Sequence, residues 1–120
     1  WLTSPLKHLE ASCQRCHADL AEIKTRTEAI QGELRSSANE IGLELEKAIN
    51  ALRDARRAPN VNLELVKQAQ GKHREAQLFL DWFLVENSTG FHNAAEGRRI
   101  LEAARKATQE MADLAAQASP

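Results

Sequence analysis

The sequence predicts an all-α fold, a long antiparallel helical hairpin or bundle whose second arm is broken. Ala, Glu, Leu, Lys, Arg and Gln dominate its 120 residues, and only three Pro and five Gly interrupt them. These six residue types favour helix, and the apolar positions recur every three or four residues without any competing strand alternation. The length corresponds to a single domain, residues 1–120.

Three helices are predicted after a lead-in over residues 1–17. The first covers residues 18–57, the second residues 62–87 and the third residues 93–117. Pro59 lies in the short turn between the first two, which makes them antiparallel neighbours. The first helix carries an apolar stripe of helical period, formed by Leu20, Ile23, Thr27, Ile30, Leu34, Ala38, Ile41, Leu45, Ala48 and Leu52.

The first helix is longer than one small domain can cover. At ~1.5 Å per residue, some 40 residues give a helix of roughly 60 Å. We therefore expect part of its apolar stripe to pack on another chain or domain.

Charge and hydropathy exclude two classes of partner. A net charge of −1 gives no electrostatic basis for binding nucleic acid or an anionic membrane. The longest apolar run, residues 78–85, is interrupted by Asp81 and is far too short to span a bilayer. The chain opens on Trp1 with neither Met nor a signal peptide, so we expect a mature product or part of a longer protein.

The stretch S-C-Q-R-C-H holds the two cysteines of the chain, Cys13 and Cys16, followed by His17. The spacing C-x-x-C-H is the attachment motif of c-type haem. Two thiols one turn apart reach the vinyl groups on one edge of a porphyrin, and the following imidazole becomes the proximal iron ligand. The sequence predicts one covalently attached haem c, near the N-terminal end of the fold.

Three other uses of the cysteines remain open beside the favoured haem. A thioredoxin-type redox pair needs a βαβ setting, and no strand pattern is present. A structural zinc site would use both cysteines and two histidines, but there is no partner C-x-x-C or H-x3-H. A disulfide across so short a loop would add little stability, because the gain comes from loop entropy.

A haem iron takes a second axial ligand or keeps an open position. The remaining candidates are His8, His73, His92 and Met111. His73, on the second helix and ~40 Å from the motif at helical rise, is interpreted as a surface residue. His8 is close to the motif and is either a ligand or a bystander.

His92 stands at the end of a polar break, residues 87–92, between the second and third helices. Folding the hairpin about its turn places His92 opposite residue 26 or 27, ~15 Å along the bundle from His17. That is near enough to belong to a haem cluster, but far for a ligand of the haem held by the motif itself. On the residues alone, a helix cap or a packed bystander competes with the ligand role.

Four of the five aromatic residues gather around this break. They are Phe79, Trp82, Phe83 and Phe91. Core packing is the favoured interpretation, with contact to a haem edge or a partner as the alternative.

Three blocks occur in order along the chain: WLTSPLKHLEASCQRCH, EIKTRTEAIQGELRSSANEI and AQLFLDWFLVENSTGFHNAAEGRRIL. Together they resemble the C-terminal part of the ammonia-forming multihaem cytochrome c nitrite reductases. The first is similar to the segment around the last haem-binding motif of that family, and the second to the start of its long helix. The third is similar to its aromatic-rich helix, the E-N-S-x-G-F-H break and the helix that follows.

The resemblance implies a role for each matching residue. Cys13 and Cys16 would hold a haem with His17 as proximal ligand, and His92 would be the distal ligand of a neighbouring haem bound upstream. It also implies a homodimer through the long helices, other haem domains or redox proteins as partners, and a periplasmic or otherwise exported location.

The chain departs from that family in what it lacks. The other haem motifs, the lysine-ligated catalytic haem and the further active-site residues have no counterpart in this sequence, so we identify no catalytic residue. The chain is expected to be a fragment of the enzyme or a single-haem relative. A class II cytochrome c is excluded because its haem motif normally lies near the C-terminus.

Three functions follow. The first is an electron-transfer module, and the second is part of the enzyme that reduces nitrite to ammonia. The third is structural: a dimerising helical hairpin in which the haem mainly stabilises the fold.

Overall fold

The computed structural model describes residues 3–119, so Trp1 and Leu2 of the predicted lead-in lie outside the described residues. The lead-in forms a 3-10 helix, Pro5–Lys7, and a single turn of helix, α1 (Leu9–Ser12). Three long helices follow: α2 (Leu20–Ala55), α3 (Leu63–Val85) and α4 (Ala94–Ala118). Residues 3–119 contain no strand, and the predicted all-α hairpin with a broken second arm is confirmed.

Each long helix begins at a polar cap. The Asp19 side chain accepts a hydrogen bond from the Glu22 N–H at 2.9 Å. Asn62 does the same at the start of α3, and Asn93 at the start of α4. A side-chain oxygen at this position satisfies a backbone donor that has no partner inside the helix. The caps therefore fix where the helices start.

The apolar stripe of α2 faces the other two helices from its second turn onwards. Its buried members are Thr27, Leu34, Ala38, Ile41, Leu45, Ala48, Leu52 and Ala55. By contrast, Leu20, Ile23 and Ile30 are only half-buried. The first third of α2 therefore lies at the margin of the packed core.

The helix α4 packs against both other long helices more extensively than those two pack against each other. It runs antiparallel to α3, and its last carbonyl, at Ala118, accepts from the Asn62 N–H at 2.9 Å. It runs parallel to α2, since Arg98 pairs with Glu33 and Arg105 pairs further along the same helix. The result is a three-helix bundle with principal extents of 65 × 26 × 17 Å.

The end of α3 is apolar on both sides. Leu80 and Phe83 are buried in the core, whereas Leu84 is 62% exposed. Leu78, Trp82 and Val85 lie at helical spacing on the face opposite the core and form an outward stripe. In the part of the chain that the structure describes, the helices lack a segment apolar and long enough to cross a membrane.

Candidate haem site

The cysteine motif is coiled into a helical turn directly after α1. Cys13 caps α1, with its N–H donating to the Leu9 carbonyl at 2.7 Å. The N–H groups of Cys16 and His17 both donate to the Cys13 carbonyl, at 3.1 and 3.0 Å. Side chains three apart on such a turn have Cβ atoms ~5–6 Å from each other. The two thiols and the imidazole are thus held on one compact turn.

Both cysteines are free thiols, Cys13 half-buried and Cys16 exposed. His17 is exposed immediately after them. Thioether attachment needs two unpaired thiols at this spacing and an imidazole free to turn towards the iron. The residues present therefore fit a c-type haem.

The lead-in is tied to the motif by Ser12. Its hydroxyl lies 2.9 Å from the Pro5 carbonyl oxygen and 2.8 Å from that of His8, and 3.4 Å from the Cys13 sulfur. The lead-in and the first turns of α2 line an open cleft of about 550 Å³. His8 lines this cleft, but the two cysteines do not. His8 therefore lies near the motif in the fold, on the side of the lead-in.

The second candidate element is the break between α3 and α4. The chain turns at Thr89, with φ +52°, and at Gly90, with φ +77°. Both values lie in the left-handed region, which glycine adopts without strain. A Cβ at Gly90 would collide with Leu34 Cδ1 of α2, so the break sits directly on the core helix. The Gln31 side-chain amide adds a hydrogen bond of 2.9 Å to the Ser88 carbonyl.

The carboxylate of Glu86 organises this break. One oxygen accepts from the Ser88 N–H at 2.9 Å, and the other accepts from the Ser88 hydroxyl at 2.7 Å and the Gly90 N–H at 2.9 Å. Burial is the largest single influence on the Glu86 pKa and raises it. The hydrogen bonds from Gly90 and Ser88 act the other way, as does the charge of His92, and together they hold the pKa below its ordinary value.

His92 projects from the end of this break as an exposed residue. Its N–H donates to the Ser88 hydroxyl at 3.1 Å, and its ring lies 5.6 Å from that of Phe91, centroid to centroid. The imidazole lines a cavity of about 170 Å³, together with Trp82, Glu86 and the first turn of α4. The surroundings combine an aromatic wall with an anionic group.

The register of α4 along α2 locates His92 relative to the motif. Arg98 pairs with Glu33, an offset of 65 residues, and Arg105 pairs with Glu44 at 2.7 Å and with Glu40 at 3.4 Å, offsets of 61 and 65 residues. These offsets put His92 level with residues 27–31 (92 − 65 and 92 − 61), seven to eleven residues into α2, or ~10–17 Å from its start along the axis. The cysteine motif precedes that start in the sequence, and the lead-in lies beside the first turns of α2.

The other candidate ligands lie elsewhere. Met111 is fully buried in the core, and His73 is half-buried on α3. The four aromatic residues around the break differ in burial: Phe83 is buried, Phe79 and Phe91 are half-buried, and Trp82 is 52% exposed. Core packing thus accounts for Phe83 but not for Trp82.

Three residues that support the break had no role assigned from the sequence: Glu86 and Ser88 in the break itself, and Gln31 on α2. Glu86 and Ser88 carry a local signal, since a carboxylate two residues before a serine can close a turn on backbone N–H groups. Gln31 carries none, because its partner is 57 residues away.

Comparison with known proteins identifies the family of the chain. The cytochrome c552 family model matches residues 1–119. Cytochrome c nitrite reductase subunit NrfA of Nitratidesulfovibrio vulgaris, strain Hildenborough, is 31% identical over 126 residues, which cover 99% of this chain and 24% of that protein. The chain therefore spans about a quarter of the length of this relative. The predicted resemblance to the cytochrome c nitrite reductases is confirmed, and the chain is a c-type cytochrome that belongs to the cytochrome c552 family.

Proposed function

We propose that this chain is an electron-transfer module carrying one haem c, held at the N-terminal end of a helical bundle. The observation that carries the proposal is the coiled motif, in which two free thiols and an exposed imidazole share one helical turn outside the packed core. A haem bound there would supply a one-electron couple, with a potential set by its axial ligands and its exposure.

Each residue of the motif has a separate proposed role. Cys13 and Cys16 would fix the cofactor to the chain covalently, and His17 would be the proximal ligand. The turn that holds them is joined to the start of the lead-in by the Ser12 hydroxyl, which bonds to the Pro5 and His8 carbonyls. His8, exposed on the neighbouring cleft, is the weaker candidate for a ligand on the opposite side.

His92 would serve a neighbouring haem rather than the one held by this motif. Its level along α2, ~10–17 Å past the start of that helix, supports this assignment. Its exposure at the end of a rigid break leaves the imidazole free to reach an iron outside this bundle. Two haem centres in succession along one bundle would suit relay of electrons between them.

A second function is that the chain forms part of a nitrite reductase that converts nitrite to ammonia. The observation in its favour is that the nitrite reductase relative extends well beyond the aligned region. The residues described provide no catalytic centre of their own, so in this case the module would feed electrons to a catalytic haem elsewhere in the protein.

The first test is the visible spectrum of the purified protein, oxidised and reduced, before and after extraction with acidified acetone. We expect a haem that remains on the protein and a low-spin spectrum. Replacing both Cys13 and Cys16 by Ala should release the haem of this motif. In the protein purified with the neighbouring haem, His92→Ala should convert that haem to high spin, whereas His73→Ala, the matched histidine control on α3, should change nothing.

The other possible outcomes distinguish between alternative interpretations of the site. Retained haem with a high-spin spectrum would indicate an open iron and small-molecule binding. Complete loss of pigment into acetone from the unaltered protein would overturn covalent attachment and favour a zinc site. Intact mass measured on the same sample separates the module from the larger enzyme.

We also propose that the chain forms a homodimer through its long helices. The outward stripe of α3 supports this, because Leu78, Trp82 and Val85 are 64%, 52% and 77% exposed on one face. Trp82→Glu should halve the molar mass found by light scattering. Leu63→Glu is the control, since Leu63 is also apolar and exposed but lies ~28 Å from Trp82 along α3. A monomeric parent protein would contradict the proposal.

The location proposed for the protein is the periplasm or another exported compartment. Covalent attachment of c-type haem outside the bacterial cytoplasm supports it. Cell fractionation tests it, and haem-loaded protein in the cytoplasmic fraction would overturn it.

A further inference from the structure

The break between α3 and α4 has a single organising centre. Within residues 86–92, the N–H groups of Ser88 and Gly90 donate to the Glu86 carboxylate, and that of Thr89 donates to the Glu86 carbonyl. Backbone donors in an irregular segment need partners, and here one side chain supplies several of them. Hydrogen bonds to an ionised group are shorter and stronger than those between neutral groups. The shape of the break therefore depends on this carboxylate.

Ser88 carries the influence of Glu86 to His92. Its hydroxyl donates to the Glu86 carboxylate at 2.7 Å and accepts from the His92 N–H at 3.1 Å. Ser88 is 7% exposed, so water has little access to replace either bond. The route from carboxylate to histidine is thus one continuous chain of two hydrogen bonds.

The break is also fixed from outside. The Gln31 amide donates to the Ser88 carbonyl at 2.9 Å, and Arg35 lies 3.4 Å from the Thr89 hydroxyl. These contacts join the break to α2, the helix that begins beside the cysteine motif. The segment that precedes His92 is therefore held against α2.

We propose that Glu86 is a positioning residue for His92, acting through Ser88 to fix the place from which the imidazole leaves the bundle. The hydrogen bonds from Glu86 to His92 do not depend on any ligand role, but the functional consequence inferred from them rests on the proposed role of His92 as an iron ligand. A ligand to iron must be held within a narrow range of positions, and its supporting hydrogen bonds usually decide how well this is done. Glu86 and His92 line the same small cavity, so the support is adjacent to the group it orients.

Glu86 and Ser88 form the hydrogen-bond relay to the His92 N–H, and substitutions at these two residues should have different effects. Glu86→Gln removes the charge and turns one acceptor oxygen into a donor, so the bonds to both Gly90 and Ser88 are weakened. Ser88→Ala removes both hydrogen bonds of the hydroxyl, the one to Glu86 and the one from the His92 N–H, and leaves the Glu86–Gly90 bond in place. Asn87→Ala, at an exposed position of the same break, is the matched control.

Amide hydrogen exchange measured by NMR on the full chain tests the relay without reference to any haem. We expect Glu86→Gln to speed exchange at Gly90 and His92 by ~10-fold, as for loss of a charged hydrogen bond. Ser88→Ala should speed exchange at His92 by a similar factor and leave Gly90 protected. Asn87→Ala should change neither. Unchanged His92 exchange in a folded Glu86→Gln or Ser88→Ala variant would overturn the proposal.

The visible spectrum of the protein purified with all its haems tests the consequence. Glu86→Gln and Ser88→Ala should each lower the low-spin fraction of the haem that His92→Ala converts to high spin, and Asn87→Ala should not. If His92→Ala leaves the spectrum unchanged, the ligand role is overturned while the exchange result still stands for the relay. If His92→Ala changes the spectrum and the two relay variants do not, the positioning role is overturned.

Discussion

Gly90 is the residue on which the α3–α4 break most depends. Its φ of +77° lies in the left-handed region, and a Cβ added to it would collide with Leu34 Cδ1. Leu34 is 1% exposed, so its side chain has little room to move aside. The conformation and the packing both require glycine at this position.

Replacement of Gly90 by Ala is therefore expected to destabilise the fold by about 2–4 kcal/mol, from left-handed backbone strain and overpacking together. Gly71 is the control. A Cβ there meets nothing within 4 Å, and it lies inside α3, so Gly71→Ala should stabilise the protein by about 0.5–1 kcal/mol. Urea denaturation of both variants measures the difference. Equal effects of the two substitutions would show that the break does not need glycine.

Local spacing predicts the residues proposed to carry chemistry, but it does not reveal those that support them. The C-x-x-C-H spacing and the polar interruption before His92 are visible within a few neighbouring residues. The contacts of Gln31 with Ser88 and of Leu34 with Gly90 join positions more than 50 residues apart, and only the packed bundle reveals them. The supporting role of Glu86 was locally encoded yet unassigned, because a carboxylate in a break also suits a solvated turn.

Ion pairs between helices set the register of the bundle. Arg98 of α4 makes two hydrogen bonds of 2.7 Å to the Glu33 carboxylate of α2. On the other side of α4, Glu110 lies 2.6 Å from the Lys72 ammonium of α3. The hydrogen bond from Arg98 lowers the pKa of Glu33, and that from Lys72 lowers the pKa of Glu110. Exposed pairs of this kind contribute modestly and are screened by salt.

These shifts fix the direction of a pH dependence. A carboxyl group whose pKa is lower in the folded protein stabilises the fold above its unfolded value, taken as 4.5, and this contribution is lost as pH falls through the folded value. Glu33→Gln should therefore lower the melting temperature at pH 7, and the difference from the parent protein should vanish in acid. Glu28→Gln is the control, since the Lys24–Glu28 pair lies within α2 at 3.9 Å. A difference that persisted unchanged to pH 3 would contradict the electrostatic origin.

Hydrophobic periodicity predicts where the helices occur more readily than it predicts which face of each helix is buried. The stripe of α2 could be read from the sequence because its opposite face is polar. The last two turns of α3 are apolar nearly all round, so the pattern could not decide between Leu84 and its neighbours. The core takes Leu80 and Phe83 and leaves Leu84 in solvent, because α4 approaches from one side only.

On the scale of the whole molecule, the packed core and the haem motif are separate. The buried hydrophobic residues run from Leu34 to Ala118, and the partly buried ones that pack on them begin at Ile30. The motif and the lead-in contribute none of these residues. The bundle thus holds its shape through α2, α3 and α4, while the proposed cofactor is carried on the segment between α1 and α2.

This separation predicts that the bundle folds without haem. Replacing both Cys13 and Cys16 by Ser should leave the helical circular dichroism nearly unchanged and lower the free energy of unfolding by less than about 1 kcal/mol, as for substitutions away from the core. Leu34→Ala is the matched comparison, because it truncates a core side chain at 1% exposure and should cost about 2–5 kcal/mol. Small metal- or cofactor-dependent domains behave in the opposite way, since binding there supplies the folding free energy. Loss of helical signal in the double cysteine variant would place this protein in that class, and the motif would then be part of the structural core.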